Sequence, residues 1–168
     1  MTIGVYQSDK SRHLVLRLSA GESIPAAVLG ALRDEQVACG WLRGSGVLTE
    51  VDLRLYHPGI GALGTARRID GTVQALALEG SIGLSEGDLS LSLRGLFARE
   101  TDSGTETFSG EIASARALAL EIFVTALDDV ALPRELDETA GVWLLGSASQ
   151  QAPARAIAPR PAAPAAWS

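Results

Sequence analysis

Two stretches of this chain alternate apolar and polar residues with a period of two, and this limits the fold more than any other feature. Asp88-Leu-Ser-Leu-Ser-Leu-Arg94 sends Leu89, Leu91 and Leu93 to one side and Ser90, Ser92 and Arg94 to the other. Val47 to Tyr56 sets Val47, Thr49, Val51, Leu53 and Leu55 against Leu48, Glu50, Asp52, Arg54 and Tyr56. Neighbouring side chains of a strand point to opposite faces, so each stretch predicts a strand with one buried side. Eighteen glycines and only 5% aromatics, with an apolar set dominated by Leu, Val and Ala, favour a tightly turned sheet over a helical bundle.

The rest of the chain fits around those strands. Arg12 to Leu18 alternates and reads as a first strand. Gly21-Glu-Ser23 offers a helix cap. Ile24, Ala27, Val28, Ala31 and Leu32 then recur at helical spacing, with Pro25 in the first turn, so one amphipathic helix is expected to about Gln36. Cys39 to Arg43 reads as a strand entering a Gly44-Ser45-Gly46 turn, and His57 to Gly64 as a loop. Thr65 to Asp70 and Thr72 to Ser81 read as two strands joined by an Asp70-Gly71 hairpin turn. Thr101-Asp-Ser-Gly104 is a turn cluster, and Thr105 to Ser109 a return strand with Glu111 just past its end. Arg116 to Leu127 reads as a long strand with Leu118, Leu120, Ile122 and Val124 on one face. Five carboxylates follow, Asp128, Asp129, Glu135, Asp137 and Glu138, before a closing strand at Val142 to Leu145. One helix among many antiparallel strands makes an α+β fold. It occupies residues 12–146, between an N-terminal extension (1–11) and an Ala/Pro-rich tail (147–168) that reads as flexible.

Charge bears on the choice of partners. The net charge is −6, and the tail carries only Arg155 and Arg160, so the part before it stands at −8, with 12 basic residues against 20 acidic. A surface of that sign repels a phosphate backbone unless a local patch overrides it. The apolar run from Ala115 to Leu127 is broken by Arg116 and Glu121, so no membrane span is expected. The first ten residues lack a basic start followed by an apolar core, and Cys39 is the lone cysteine. These features place the protein in a reducing cytoplasm, with Cys39 as a buried, inert thiol.

Several motifs invite chemistry and are better explained without it. Gly59-Ile-Gly-Ala-Leu-Gly64 has the letters of a dinucleotide fingerprint, but strands rather than a helix are predicted after it. Ser45 sits between Gly44 and Gly46, yet Arg43 stands where a nucleophile elbow needs its first glycine, and His13 and His57 are the only imidazoles. Close backbone approach at a strand bend accounts for the two glycines. Arg67 and Arg68 form the one adjacent basic pair, and Arg94 and Arg99 are expected near one another, so these four are the candidate anion or DNA contacts. Trp167, near the end of the tail, is a candidate partner anchor.

The Asp88 to Ile112 hairpin, together with Gly44-Ser45-Gly46-Val47-Leu48, resembles the plant and prokaryote conserved (PPC) family, whose domain also occurs in plant AT-hook proteins. The resemblance runs from about His13 to Leu145 and implies a PPC-like sheet assembled as a homotrimer. Many prokaryotic members carry two histidines one residue apart and a third in a Gly-Gly-His-Leu segment, and these form a metal site. Here the pair falls on Ser90 and Ser92, and the segment falls on Ser109-Gly110-Glu111-Ile112. Hydroxyls are poor ligands for transition metals, so neither metal nor cofactor is expected. Ser90, Ser92 and Glu111 remain as a candidate pocket.

Three functions follow from these readings. The first is a non-catalytic trimeric module that binds other macromolecules, proteins foremost, through its tail or acidic surface. The second is direct DNA binding in a regulatory or nucleoid-associated role. The third is a small polar ligand sensor or enzyme using Ser90, Ser92, Glu111 and His57.

Overall fold

The computed structural model describes residues 5–146. Its elements in chain order are β1 (Ser11–Leu18), β2 (Ser23–Ile24), α1 (Ala26–Asp34), β3 (Gly40–Arg54), β4 (Tyr56–His57), β5 (Ala62–Leu63), β6 (Arg67–Ser85), β7 (Asp88–Thr101), β8 (Gly104–Leu127), β9 (Arg134–Asp137) and β10 (Val142–Leu145). The fold is mostly antiparallel β with a single helix among the described residues. None of the described helical structure is long and apolar enough to cross a membrane.

The main sheet runs β1-β8-β3-β6-β7, with β2 also on β8. The first half of β8 pairs with the second half of β7, from Arg94↔Glu111 to Thr101↔Gly104. β3, β6, β7 and β8 therefore close into a ring. Inside it lie Leu42, Leu48, Leu78, Ile82, Phe97, Leu120 and Ile122, each under 3% exposed, and α1 adds Val28 and Leu32 to the same core. Each such side chain contributes about 1.5–3 kcal/mol when withdrawn from water, so this interior is the main source of stability.

Two expected turns turn out to be irregularities within long strands, and one expected strand end is absent. β3 passes straight through Gly44-Ser45-Gly46, and only its pairing with β6 shifts there. A Cβ on Gly46 would stand 2.2 Å from the carbonyl oxygen of Ala119 on β8, so the glycine is required by close approach of two strands and not by a turn. β6 likewise continues through Asp70-Gly71. Thr49 pairs with Thr72 and Val51 with Ile69, which leaves Asp70 and Gly71 opposite Glu50 in a bulge, with Gly71 at φ +83°. An Asp-Gly pair suits a hairpin turn or a bulge equally, and here β3 supplies partners on both sides. β8 is one strand of 24 residues, so Glu111 lies mid-strand instead of past a strand end.

The bulges also reassign side chains between faces. Glu50 takes φ +51°, and the alternation of β3 slips across it: Leu48, expected outside, is fully buried, as is Val51. On β8 the pairing jumps from Val47↔Ala119 to Leu48↔Ala117. That jump turns Leu118 outward, 47% exposed, and gives Ala117 the core position. The helix is shorter than its periodicity implies, because Pro25 is its N-cap and Ile24 belongs to β2. β1, the Thr101–Gly104 turn and β10 stand where the sequence places them, whereas β9 was not foreseen. The run before β1 is held by Asp129, which accepts hydrogen bonds from Ser8 Oγ at 2.5 Å and the Asp9 backbone N–H at 2.7 Å.

Candidate functional site

Because Leu93 and Phe97 of β7 point into the ring, Ser92 and Arg94 point out of it, and the register sets their neighbours. Arg94 lies opposite Glu79 of β6 on one side and Glu111 of β8 on the other. Glu111 in turn lies opposite Arg54 of β3, and Ser92 opposite Ser81. Arg54 Nη2 donates to Glu111 Oε1 at 3.1 Å, and Ser92 Oγ makes a longer contact to Glu111 Oε2 at 3.4 Å. The expected trio is thus partly assembled: Ser92 and Glu111 touch, and Ser90 lines the same cavity.

That cavity measures about 1100 Å³, with the outer face of β6, β7 and the first half of β8 as its floor. Its walls are the β9–β10 ribbon and the small β4–β5 hairpin, which approach so closely that Gly141 has no room for a Cβ beside the Gly61 carbonyl. The ribbon is pinned to β6: the Leu84 N–H donates to the Leu132 carbonyl at 2.9 Å, and Gly83 leaves space for Leu145.

The ribbon also brings a residue that the sequence reading passed over. Arg134 is only 9% exposed. Its Nη2 donates to the Ser81 carbonyl oxygen and, at 3.0 Å, to Ser81 Oγ, while its Nε is buried without a partner among the described residues. No carboxylate among the described residues forms an ion pair with it. Burial pushes its pKa down; Glu111 opposes that shift and Arg94 adds to it. Arg54 Nε is likewise buried and has no partner among the described residues. A guanidinium withdrawn from water without a matching anion is costly, because hydration is lost and little replaces it.

Charge in the cavity therefore runs against that of the domain. Arg54, Arg94 and Arg134 line it against Glu79 and Glu111, an excess of one positive charge. A metal cation does not suit this place. Glu111 is already paired with a guanidinium, serines stand at the other two positions, and no group of three His, Cys, Asp or Glu among the described residues is arranged to hold a metal ion.

The other candidates are scattered. Arg68 grips Asp52 through two hydrogen bonds of 2.8 Å, and Asp52 also accepts from Ser114 Oγ at 2.6 Å. Arg99 donates to Glu106 at 2.6 Å and to the Asp70 carbonyl, and lies over the Phe108 ring at 5.3 Å. Arg94 is not part of that group; it belongs to the cavity, five residues back along β7. Arg67 is exposed at the start of β6. Ser45 faces Glu121 across the strands, His13 lies 3.2 Å from Thr125 Oγ1, and His57 stands exposed on β4, so no imidazole meets the serine. No helix begins on Gly59–Gly64 or follows it among the described residues, and without one the dinucleotide motif has nothing to hold a phosphate. Cys39 is buried, and its pKa is raised by that burial. Trp167 lies outside the described residues.

Arg54 and Arg134 are the two site residues that sequence reasoning missed. Arg54 was counted only as the polar side of a strand. For Arg134 one signal was present, a lone arginine closing the apolar run Val130-Ala-Leu-Pro133.

Residues 6–128 match the model of the Plants and Prokaryotes Conserved (PCC) domain. Among solved structures, the chain is similar to a metal-containing protein from Archaeoglobus fulgidus (TM-score 0.78, 19% identity, 86% of this chain and 100% of that one). It is also similar to a plant- and prokaryote-conserved protein from Pyrococcus horikoshii (TM-score 0.71, 16% identity, 86% and 97%). A third likeness is to a candidate DNA-binding protein from Bacteroides thetaiotaomicron (TM-score 0.68, 17% identity, 79% and 90%). At such identities the likeness establishes the fold. No curated protein matches the chain significantly.

Proposed function

Because the chain belongs to the Plants and Prokaryotes Conserved domain family, we propose that it works as a non-catalytic binding module, a homotrimer whose partners are proteins. The observation that carries this reading is an apolar patch on the outer face of β1, β8 and β3. Val15 (64% exposed) pairs across the strands with Phe123 (53%), and Trp41 (50%) stands one step further along the same face. Large apolar side chains grouped on a sheet face favour association, since covering them removes that surface from water. The scattered histidines and Ser45 support a role without catalysis.

Light scattering tests the reading. The purified protein is expected at three times the 17.5 kDa chain mass, and Phe123→Glu is expected to shift it to monomer. A wild-type monomer at micromolar concentration would remove the trimer and the patch from this account.

A second reading, direct duplex binding, is supported by the description of the Bacteroides relative and by Arg67, exposed at the start of β6. It is weakened by Arg68 and Arg99, whose charges are already matched by Asp52 and Glu106. Fluorescence anisotropy with duplex DNA at low and physiological salt decides it: binding that weakens steeply with salt and falls on Arg67→Ala and Arg68→Ala would put DNA first.

A further inference from the structure

We infer that the cavity between the β6–β7–β8 face and the β9–β10 ribbon is a binding site for a small organic monoanion, a carboxylate carried on an apolar or aromatic body. The inference does not depend on the oligomeric state.

Three observations lead to it independently. First, guanidinium donors around one space are left over. Among the described residues, Arg134 Nε and Arg54 Nε are buried without partners, and Arg94 makes no hydrogen bond or ion pair. Of the donors on Arg134, only those of Nη2 are engaged among the described residues. Buried polar groups in native proteins are almost always satisfied, and the unused donors of Arg94 and Arg134, whose guanidiniums line one cavity, mark the place of an acceptor.

Second, the sign and size of the charge choose the headgroup. Three guanidiniums against two carboxylates leave one positive charge, which a carboxylate balances and a phosphate dianion overshoots. The guanidinium fork also matches the two oxygens of a carboxylate.

Third, the cavity is far larger than a headgroup. Its volume of about 1100 Å³ is at the upper end for small-molecule sites, and Leu91, Leu96, Trp143 and Leu144 present apolar surface to it. Leu96, Trp143 and Leu144 remain 44–55% exposed, as expected of walls that await a covering group. The hydroxyls of Ser90 and Ser92 also line the cavity and can donate to the carboxylate's second oxygen.

The test uses the full chain in its native oligomer, at constant ionic strength, with benzoate as the probe. Benzyl alcohol serves as the neutral control and inorganic phosphate as the anion without a body. Binding is read by ligand-observed NMR and by the shift in Tm, with mass followed by light scattering in the same samples. Benzoate is expected to bind saturably, with a Kd of about 1 mM for so small a ligand. Benzyl alcohol and phosphate are expected to bind at least about 10-fold more weakly. Arg134→Met is expected to abolish saturable benzoate binding. Arg94→Gln, at an exposed position that cannot disturb the core, is expected to weaken it several-fold, and Arg68→Gln to leave it unchanged. Equal binding of benzoate and benzyl alcohol, equal binding of phosphate, no saturation by about 50 mM benzoate, or full retention by Arg94→Gln would each overturn the proposal. A monomeric mass with intact benzoate binding would sink the trimer and leave this inference standing.

Discussion

Arg68 and Arg134 sit on the same small domain and are treated in opposite ways. Arg68 is half exposed and fully matched, with both oxygens of Asp52 in its fork and Ser114 supporting the carboxylate. Arg134 is buried and has no acidic partner among the described residues, only the carbonyl and hydroxyl of Ser81. An exposed matched pair costs little and contributes little. A buried unmatched cation costs stability, which the fold tolerates only where something else offsets it. The contrast separates a region where charge serves structure from one where charge is held for a ligand.

The comparison can be broken most forcefully through the backbone that joins the two regions. Gly110 lies beside Glu111, and a Cβ there would stand 2.8 Å from the Arg54 carbonyl oxygen and 3.2 Å from Leu53 Cβ. Gly110→Val is therefore expected to part β8 from β3, costing about 3 kcal/mol, or roughly 6–12 °C in Tm by thermal denaturation. An unchanged Tm would mean that the strands have slack and that the Arg54–Glu111 pair is not rigidly placed.

The next effect is one of sign. Replacing an unmatched buried guanidinium by an apolar side chain of similar length removes a desolvation cost, so Arg134→Met is expected to unfold at the same or higher denaturant concentration than wild type, by up to about 2 kcal/mol. A loss of stability instead would show that Arg134 is a strut holding Ser81, and the contrast with Arg68 would collapse.

A smaller effect sharpens the comparison through pH. The Arg68 hydrogen bonds, with Ser114, lower the Asp52 pKa from 3.8 to about 2. A depressed carboxylate pKa stabilises the fold fully above the unfolded value and loses that contribution as pH falls towards the folded one. Asp52→Asn is expected to lower Tm by about 2–4 °C at pH 7, with the deficit shrinking between pH 4 and pH 2. A deficit that stays constant across that window would mean the carboxylate charge is not what Arg68 responds to.

The smallest effect belongs to Arg99 and Glu106, an exposed pair near the hairpin tip. Glu106→Gln is expected to change stability by no more than about 0.5 kcal/mol in urea titration, since the Asp70 carbonyl and Phe108 still hold the arginine. A larger loss would promote this pair to a structural element.

Much of the architecture was legible in the residues. Alternation identified β1, β7 and most of β3, and the Thr101–Gly104 cluster marked its turn, because these signals are local to a strand and its loop. Bulges defeated the same logic. Asp70-Gly71 and Gly44-Ser45-Gly46 carry turn chemistry, and whether such residues reverse the chain or merely kink it depends on the partner strand alongside. The slips at Glu50 and Leu118 followed, since one extra residue exchanges the two faces of everything beyond it.

The candidate site divides in the same way. Ser90, Ser92 and Arg94 were found on one face because strand periodicity is written in consecutive residues. Arg134 was not, since its place is set by a ribbon that folds back onto β6 about fifty residues away in the chain.

By itself, then, the sequence determined an antiparallel α+β domain with a polar outer face on β7, through short-range patterning that needs no partner to be read. Only the tertiary structure decided that this face is walled by the β9–β10 ribbon, that Glu111 belongs to Arg54, and that a buried arginine lines the same cavity with no ion pair among the described residues. Charge matching depends on distances between residues far apart in the chain, and those distances exist only once the ring has closed.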